Sequence, residues 1–225
     1  MTRSPDIHVW LVDLEDEGAL ALADSGLPDE LDHRRAASIN DPEAARRLLA
    51  RRAAVKAVAA EALSEDPGDF RIVRAPGGKP VIVSKTSKAP ALSVAHAGRL
   101  LSVAVSTAVS IGVDVERVRP VHRARQIARK WFDAREAQEL EGVDEHARTD
   151  AFFRMWTAKE ALAKRHGAGL RLMRGQKREL DVREAIATGT LRYFDVSPGY
   201  VAAVASTDTV GEIRVVQPEM RRWTT

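Results

Sequence analysis

Cysteine is absent from all 225 residues. That excludes a disulfide framework, a thiolate zinc site and a cysteine nucleophile, and it suits a reducing compartment. A charge excess of one sign is missing too: 35 Lys and Arg face 32 Asp and Glu, for a formal net charge of +3. So small an excess does not demand nucleic acid as a partner. No apolar run approaches the ~20 residues of a membrane span. The opening MTRSPDIHVWLVDLEDEG meets acids directly after a short apolar run, without the apolar core or cleavage site of a secretory signal. The expectation is a cytoplasmic protein with no membrane or nucleic-acid partner. What is present is globular: 44% of residues are hydrophobic and 30% charged, enough for a real core in one large domain or two compact halves.

The periodicities place the elements. Ile7 to Leu14 reads as an opening strand, and Pro28 to Asn40 as a short polar helix. Asp41 as N-cap and Pro42 at the first helical position start a helix to about Leu63. Its apolar side carries Leu48, Leu49, Val55 and Val58; Arg46, Arg47, Arg51 and Arg52 form a basic side. Pro67-Gly68 and Pro76-Gly77-Gly78 mark turns, the second followed by a short strand from Lys79 to Val83. Leu92–Ala95 and Leu100–Ser106 form a hairpin about Ala97-Gly98-Arg99. Pro120 to Trp131 reads as helical, Asp133 restarts a helix with a D-x-x-E box, and Thr149-Asp150 caps another that ends at Gly167. Late strands follow at Tyr200–Ser206 and Glu212–Val216, with PEMRRWTT as a terminal extension. Hairpins mixed with long helices give an α+β class rather than a doubly wound parallel sheet. The halves divide at 1–108 and 109–225.

Three stretches carry chemistry. In SIGVDVERV, Ile111, Val113 and Val115 alternate with Gly112, Asp114 and Glu116, so the two carboxylates share one strand face, about 6.5–7 Å apart. That pattern fits a solvated outer face or a cation held above the strand. In the helix after Asp150, Trp156, Glu160 and Lys164 recur every four residues and form one stripe, with Lys159 beside it. A surface ion pair from Glu160 to Lys164 and a core Trp156 would equally explain that stripe. His96 ends a strand just before Gly98, where a capping role competes with ligand binding.

Taken in order, GGKP at 77–80, His96-Ala97-Gly98, Gly112-Val113-Asp114-Val115-Glu116 and Trp156-Thr157-Ala158-Lys159-Glu160-Ala161-Leu162-Ala163-Lys164 resemble the 4'-phosphopantetheinyl transferases. The resemblance is to the longer class named after the surfactin synthetase activator (Sfp-type). It runs from the Arg-rich helix to the Tyr200 strand. It implies a pseudo-dimer of two similar α/β halves, the first with coenzyme A-binding elements and the second with the metal site and carrier-docking elements. It also implies coenzyme A as donor, a serine of an apo acyl or peptidyl carrier protein as acceptor, and adenosine 3',5'-bisphosphate as product, in a monomeric enzyme. Asp114, Glu116 and Glu160 would hold Mg2+, with Mn2+ as the alternative; oxygen ligands of this kind suit such an ion. Glu160 would take the serine proton and Lys164 would neutralise or protonate the leaving phosphate, with Lys159 in a supporting role. Lys79, His96, Lys164 and Arg47, with Arg46 and Arg35 after them, would contact coenzyme A. Arg51 and Arg52 are left on a solvated helix face. The family often carries S-H-S-G; Ala95 and Ala97 flank His96 here, which removes two hydroxyls from the donor site. Arg117, Arg119, Arg123, Arg125, Arg129 and Lys130 follow the acidic strand and offer a basic rim to an acidic carrier.

Two rivals remain at this stage. A non-catalytic nucleotide- or RNA-binding module is favoured by the Arg-rich helix but lacks an aromatic RNA-stacking motif. A Mg-dependent nucleotide hydrolase would keep the metal and change the reaction.

Overall fold

The computed structural model of the chain describes residues 7–85, 90–167 and 180–224. Strand β1 (Ile7–Asp13) leads through short helices α1 (Glu17–Ala21) and α2 (Glu30–Ala37) to the long helix α3 (Pro42–Leu63). Four antiparallel strands follow: β2 (Phe70–Arg74), β3 (Pro80–Ser84), β4 (Ala91–Ala97) and β5 (Leu100–Ser106). Then come β6 (Ile111–Arg117), helices α4 (Ala124–Trp131), α5 (Ala134–Gly142), α6 (Glu145–His166) and α7 (Val182–Ala187), and strands β7 (Leu191–Phe194), β8 (Tyr200–Ser206) and β9 (Ile213–Val216).

Among the described residues the strands form two sheets, ordered β2-β3-β4-β5-β1-β9 and β6-β8-β7. Period-2 alternation explains how they stack. In β1, Trp10 and Val12 point into a core with α3, whereas Ile7, Val9 and Leu11 join Ile111, Val113 and Val115 of β6 and Ala202 and Val204 of β8 between the sheets. The alternate residues of β8, Ala203 and Ala205, pack against Ala158, Ala161 and Leu162 of α6. The layers are therefore α3, first sheet, second sheet, α6. A strand, a 22-residue helix and an antiparallel strand pair occur in that order twice. β1, the 22-residue α3 and the β4–β5 hairpin end in the order β4-β5-β1; β6, the 22-residue α6 and the β7–β8 pair end in the order β7-β8-β6. After β8 the chain returns to the first sheet, where β9 pairs parallel with β1 and Met220 enters the α3 core.

Several boundaries differ from the sequence expectation. Helix α6 starts at Glu145, not after Asp150, because the Asp144 side chain already accepts from the His146 N–H; Thr149 and Asp150 are helix interior. Helix α4 starts at Ala124 rather than Pro120, with Arg123 giving no side-chain cap. The sequence reading did not assign α1, β2, α7 or β7. All four are short, and β2 and β7 are edge strands that exist through their pairing with β3 and β8. The terminal extension contains a 3-10 turn, Met220–Trp223, and Met220 is buried.

Candidate active site

Strand β6 positions the carboxylates. Its odd residues face the first sheet, so Gly112, Asp114 and Glu116 face α6. Gly112 lets the helix come close: a Cβ there would lie 2.0 Å from the Ala161 carbonyl oxygen and 2.4 Å from the Arg165 nitrogen. That contact seats Lys164 over the next inward residue. Its Nζ donates to Asp114 Oδ1 at 2.7 Å, and Asp114 is only 5% exposed. Asp114 Oδ2 is buried with no hydrogen-bond partner among the described residues. The strand face that could have been solvated is thus roofed by a helix carrying a third acid.

Burial pushes all three carboxyls above their ordinary pKa. Glu160 rises to about 7, from burial first and then from the charges of Asp114 and Glu116, with Lys164 opposing. Glu116 rises through burial and Asp114, against Arg119, Lys164 and a hydrogen bond from the Trp156 side chain. Asp114 rises through burial, offset by the Lys164 ammonium. Trp156 is held in an aromatic cluster with Phe152 (5.9 Å), Trp131 (6.2 Å) and Phe132 (6.5 Å), so it is both core and partner of Glu116. Among the described residues, no three acidic or histidine side chains converge closely enough as placed to grip one ion.

Opposite the acids lies a cationic wall. A cleft of about 350 Å³ opens between α3, the β2–β3 turn, β4 and the end of α6, lined by Arg51, Arg52, Arg74, Lys79, His96, Glu160 and Lys164. Arg51 Nη1 donates to His96 Nε2 at 2.5 Å, which makes that ring nitrogen an acceptor. Partial burial, then the charges of Arg51, Lys164 and Arg52, push the His96 pKa down to about 4. Lys79 Nζ donates to the carbonyls of Ile111 (3.2 Å) and Arg165 (3.1 Å), tying the Gly77-Gly78 turn to β6 and to the C-terminal end of α6. Gly77 is required there, since a Cβ would meet the Gly167 carbonyl oxygen at 2.4 Å.

Asp114, Glu116, Glu160, Lys164, Lys79 and His96 thus lie around one region. Arg47, Arg46 and Arg35, expected at the donor, do not line the cleft. Arg47 pairs with Glu43 and Arg46 with Asp24, both in solvent, and Arg35 is exposed on α2. The reason is helix phase. The buried stripe of α3 runs through Ala50, Ala53, Ala54, Ala57 and Val58, and its cleft-side flank is Arg51 and Arg52, which the sequence reading had left in solvent. The buried alanines were the available signal, but a reading centred on leucine and valine passes over them. Arg74 could not be placed without β2.

Lys159 takes a structural place. It is fully buried, pairs with Glu136 Oε2 at 2.7 Å and donates to the Leu180 carbonyl at 3.0 Å, so it joins α6 to the start of α5 and to the segment before α7. Of the expected docking cations, Arg129 pairs with Glu141 and Arg119 lies 3.6 Å from Glu116 and over the Phe153 ring.

Fold and site define a protein that sets a cationic wall against a buried carboxylate group. Residues 110–203 match the model of the 4'-phosphopantetheinyl transferase superfamily. HetI, a 4'-phosphopantetheinyl transferase of Nostoc, is 31% identical over 170 residues, covering 74% of this chain and 71% of HetI. The Synechocystis protein slr0495, assigned to the same transferase class, is 33% identical over 129 residues, which span 57% of this chain and 52% of its own length. The transferase Sfp of Bacillus subtilis is 27% identical over 173 residues, 73% of this chain and 75% of Sfp. The chain belongs to the 4'-phosphopantetheinyl transferase family of enzymes. Among the described residues no helix is long and apolar enough to cross a membrane.

Proposed function

We propose that this chain transfers the 4'-phosphopantetheine group of coenzyme A to a serine hydroxyl of an apo acyl or peptidyl carrier protein, releasing adenosine 3',5'-bisphosphate. The observation that carries the reading is a single cleft in which Arg51, Arg52, Arg74 and Lys79 face Glu160 and Lys164, with Asp114 buried against Lys164. A polyanionic donor needs the first set, and phosphoryl transfer from it to a hydroxyl, which must lose its proton, needs the second. The repeated strand–helix–hairpin order and the match to Sfp support the longer, pseudo-dimeric class. In this reading residues 1–108 supply most of the donor wall and 109–225 the acids and the carrier-docking rim. The protein acts as a cytoplasmic monomer.

The donor set fits Mg2+, with Mn2+ as the alternative. Asp114, Glu116 and Glu160 offer carboxylate oxygens only, Asp114 Oδ2 lacks a partner, and the Asp114 charge raises the pKa of both glutamates, so a divalent cation there relieves every one of these groups. When bound, it supplies charge neutralisation at the pyrophosphate. The remaining steps belong to side chains. The guanidinium groups of Arg51, Arg52 and Arg74 hold donor phosphates. Glu160 accepts the serine proton as Oγ attacks the β-phosphorus. The bond from that phosphorus to the bridging oxygen breaks, and Lys164 offsets the charge left on the bisphosphate or protonates it.

The test is the mass of an intact apo carrier incubated with this protein, coenzyme A and Mg2+. One phosphopantetheine group should be gained. EDTA should abolish the gain, and Glu160→Ala should slow it by at least ~100-fold, the order of a lost general base. No gain across acyl and peptidyl carriers, with coenzyme A still bound, overturns the reading. Coenzyme A cleavage without a carrier would point to a hydrolase instead.

A further inference from the structure

Lys164 has two places to be. Its ammonium sits on Asp114 Oδ1 at 2.7 Å, yet its side chain also lines the cleft and is 27% exposed. Beneath it, Asp114 Oδ2 is buried and unpaired among the described residues, and Glu116 and Glu160 both feel the Asp114 charge. As placed, the three acids do not form a ready cage for an ion.

We propose that Lys164 is the stand-in cation of the metal-free protein, and that a divalent ion and the Lys164 ammonium compete for Asp114. The inference rests on the metal part of the function proposed above. One ammonium balances only one of the three carboxyls, so wherever the glutamates ionise the group keeps an excess of negative charge and still attracts a divalent ion. The ammonium and that ion cannot both lie against one carboxylate in a buried site without strong like-charge repulsion. A lysine stem has four rotatable carbons, and the cleft is open beside it, so the displaced ammonium has somewhere to go. It would enter the space faced by Arg51, Arg52 and Glu160. Metal loading would then deliver the lysine to the place where a phosphate charge develops, and without metal it would remain on Asp114. Gly112 makes the exchange local, since it holds the backbone of α6 against β6 while only the side chain moves.

Mn2+ binding to the coenzyme A-free protein, followed by paramagnetic resonance, separates the possibilities. Lys164→Met should bind Mn2+ more tightly than wild type by roughly tenfold, the order that one adjacent charge contributes. Asp114→Asn should lose binding. Equal or weaker binding by Lys164→Met, with Asp114→Asn still defective, overturns the competition and leaves the metal reading intact. Wild-type affinity in Asp114→Asn, or no binding by wild type and Lys164→Met alike, overturns both. Wild-type protein gives a second readout. Amine acetylation of Lys164, read by peptide mass spectrometry, should rise several-fold on adding Mg2+ alone, with Lys79, held by two carbonyls, as the internal control. An unchanged Lys164 rate overturns the proposal.

Discussion

His96 shows how a single residue changes its role with its surroundings. A histidine before a glycine turn reads as a surface residue, or by resemblance as a phosphate contact. In the structure its Nε2 accepts from Arg51, and Arg51, Arg52 and Lys164 surround it with positive charge. In the ligand-free protein the ring is therefore neutral and its Nε2 accepts from Arg51. The consequence for pH follows from its pKa of about 4 against 6.5 when unfolded. Above pH 6.5 neither state is protonated and the full stability is present. As pH falls from 6.5 towards 4, the unfolded chain takes a proton that the folded chain refuses, so stability declines. Urea unfolding across that window should show a shallower decline for His96→Gln than for wild type; parallel profiles would reject the assignment. The adjacent Ala95 and Ala97 contribute no side-chain hydroxyl of their own, and Arg51 is the partner bonded to the His96 ring.

At the scale of elements, α6 carries most of the chemistry, and its rotation is fixed from three sides. Gly112 admits it to β6, Gly167 ends it in the left-handed conformation at φ 78°, and Lys159 anchors the face away from the cleft. Lys159 lies next to Glu160 in sequence, which made it a natural candidate for the site. Its full burial and its bond to Glu136 place it in the frame instead. Glu136 also closes the capping box of α5 with Asp133, so one carboxylate links two helices. Lys159→Met should destabilise the protein by about 3–5 kcal/mol, because it leaves a buried carboxylate unpaired. Lys159→Met combined with Glu136→Leu should recover most of that loss in a urea double-mutant cycle. Additive single losses would show that the pair is not coupled. The helix itself was legible from its periodicity and its C-terminal glycine. Its start was not, because Asp144 and Asp150 are both plausible caps and only the observed bond to His146 decides between them.

For the whole molecule, the two sheets are interlocked rather than merely adjacent. Residues 213–223 leave the second half, add β9 to the edge of β1 and bury Met220 beside α3. Glu61 on α3 accepts from Trp10 Nε1 at 3.1 Å and from Arg222, so helix, opening strand and C-terminal turn meet at one carboxylate. Removing residues 212–225 should therefore lower stability by at least ~3 kcal/mol, the order of one large buried side chain, and expose the edge of β1. A thermal melt unchanged from the full chain would show that the segment is only an appendage. Lys79 makes a second link, from the β2–β3 turn to β6 and the end of α6, along the wall of the cleft.

The sequence by itself determined what is local: the alternation that puts Asp114 and Glu116 on one strand face, the four-residue spacing of Trp156, Glu160 and Lys164, and the caps at Asp41, Asp133 and Gly167. Only the tertiary structure decided that the acidic face lies under α6 and not in water, and that Lys164 reaches Asp114 across the gap that Gly112 keeps narrow. It also set Arg51, Arg52 and Arg74 along the cleft and Arg46, Arg47 and Arg35 away from it. The physical reason is that backbone geometry fixes the spacing of neighbours along the chain. Which distant side chains converge depends on how helices and sheets bury their apolar faces, and here small buried alanines set that packing.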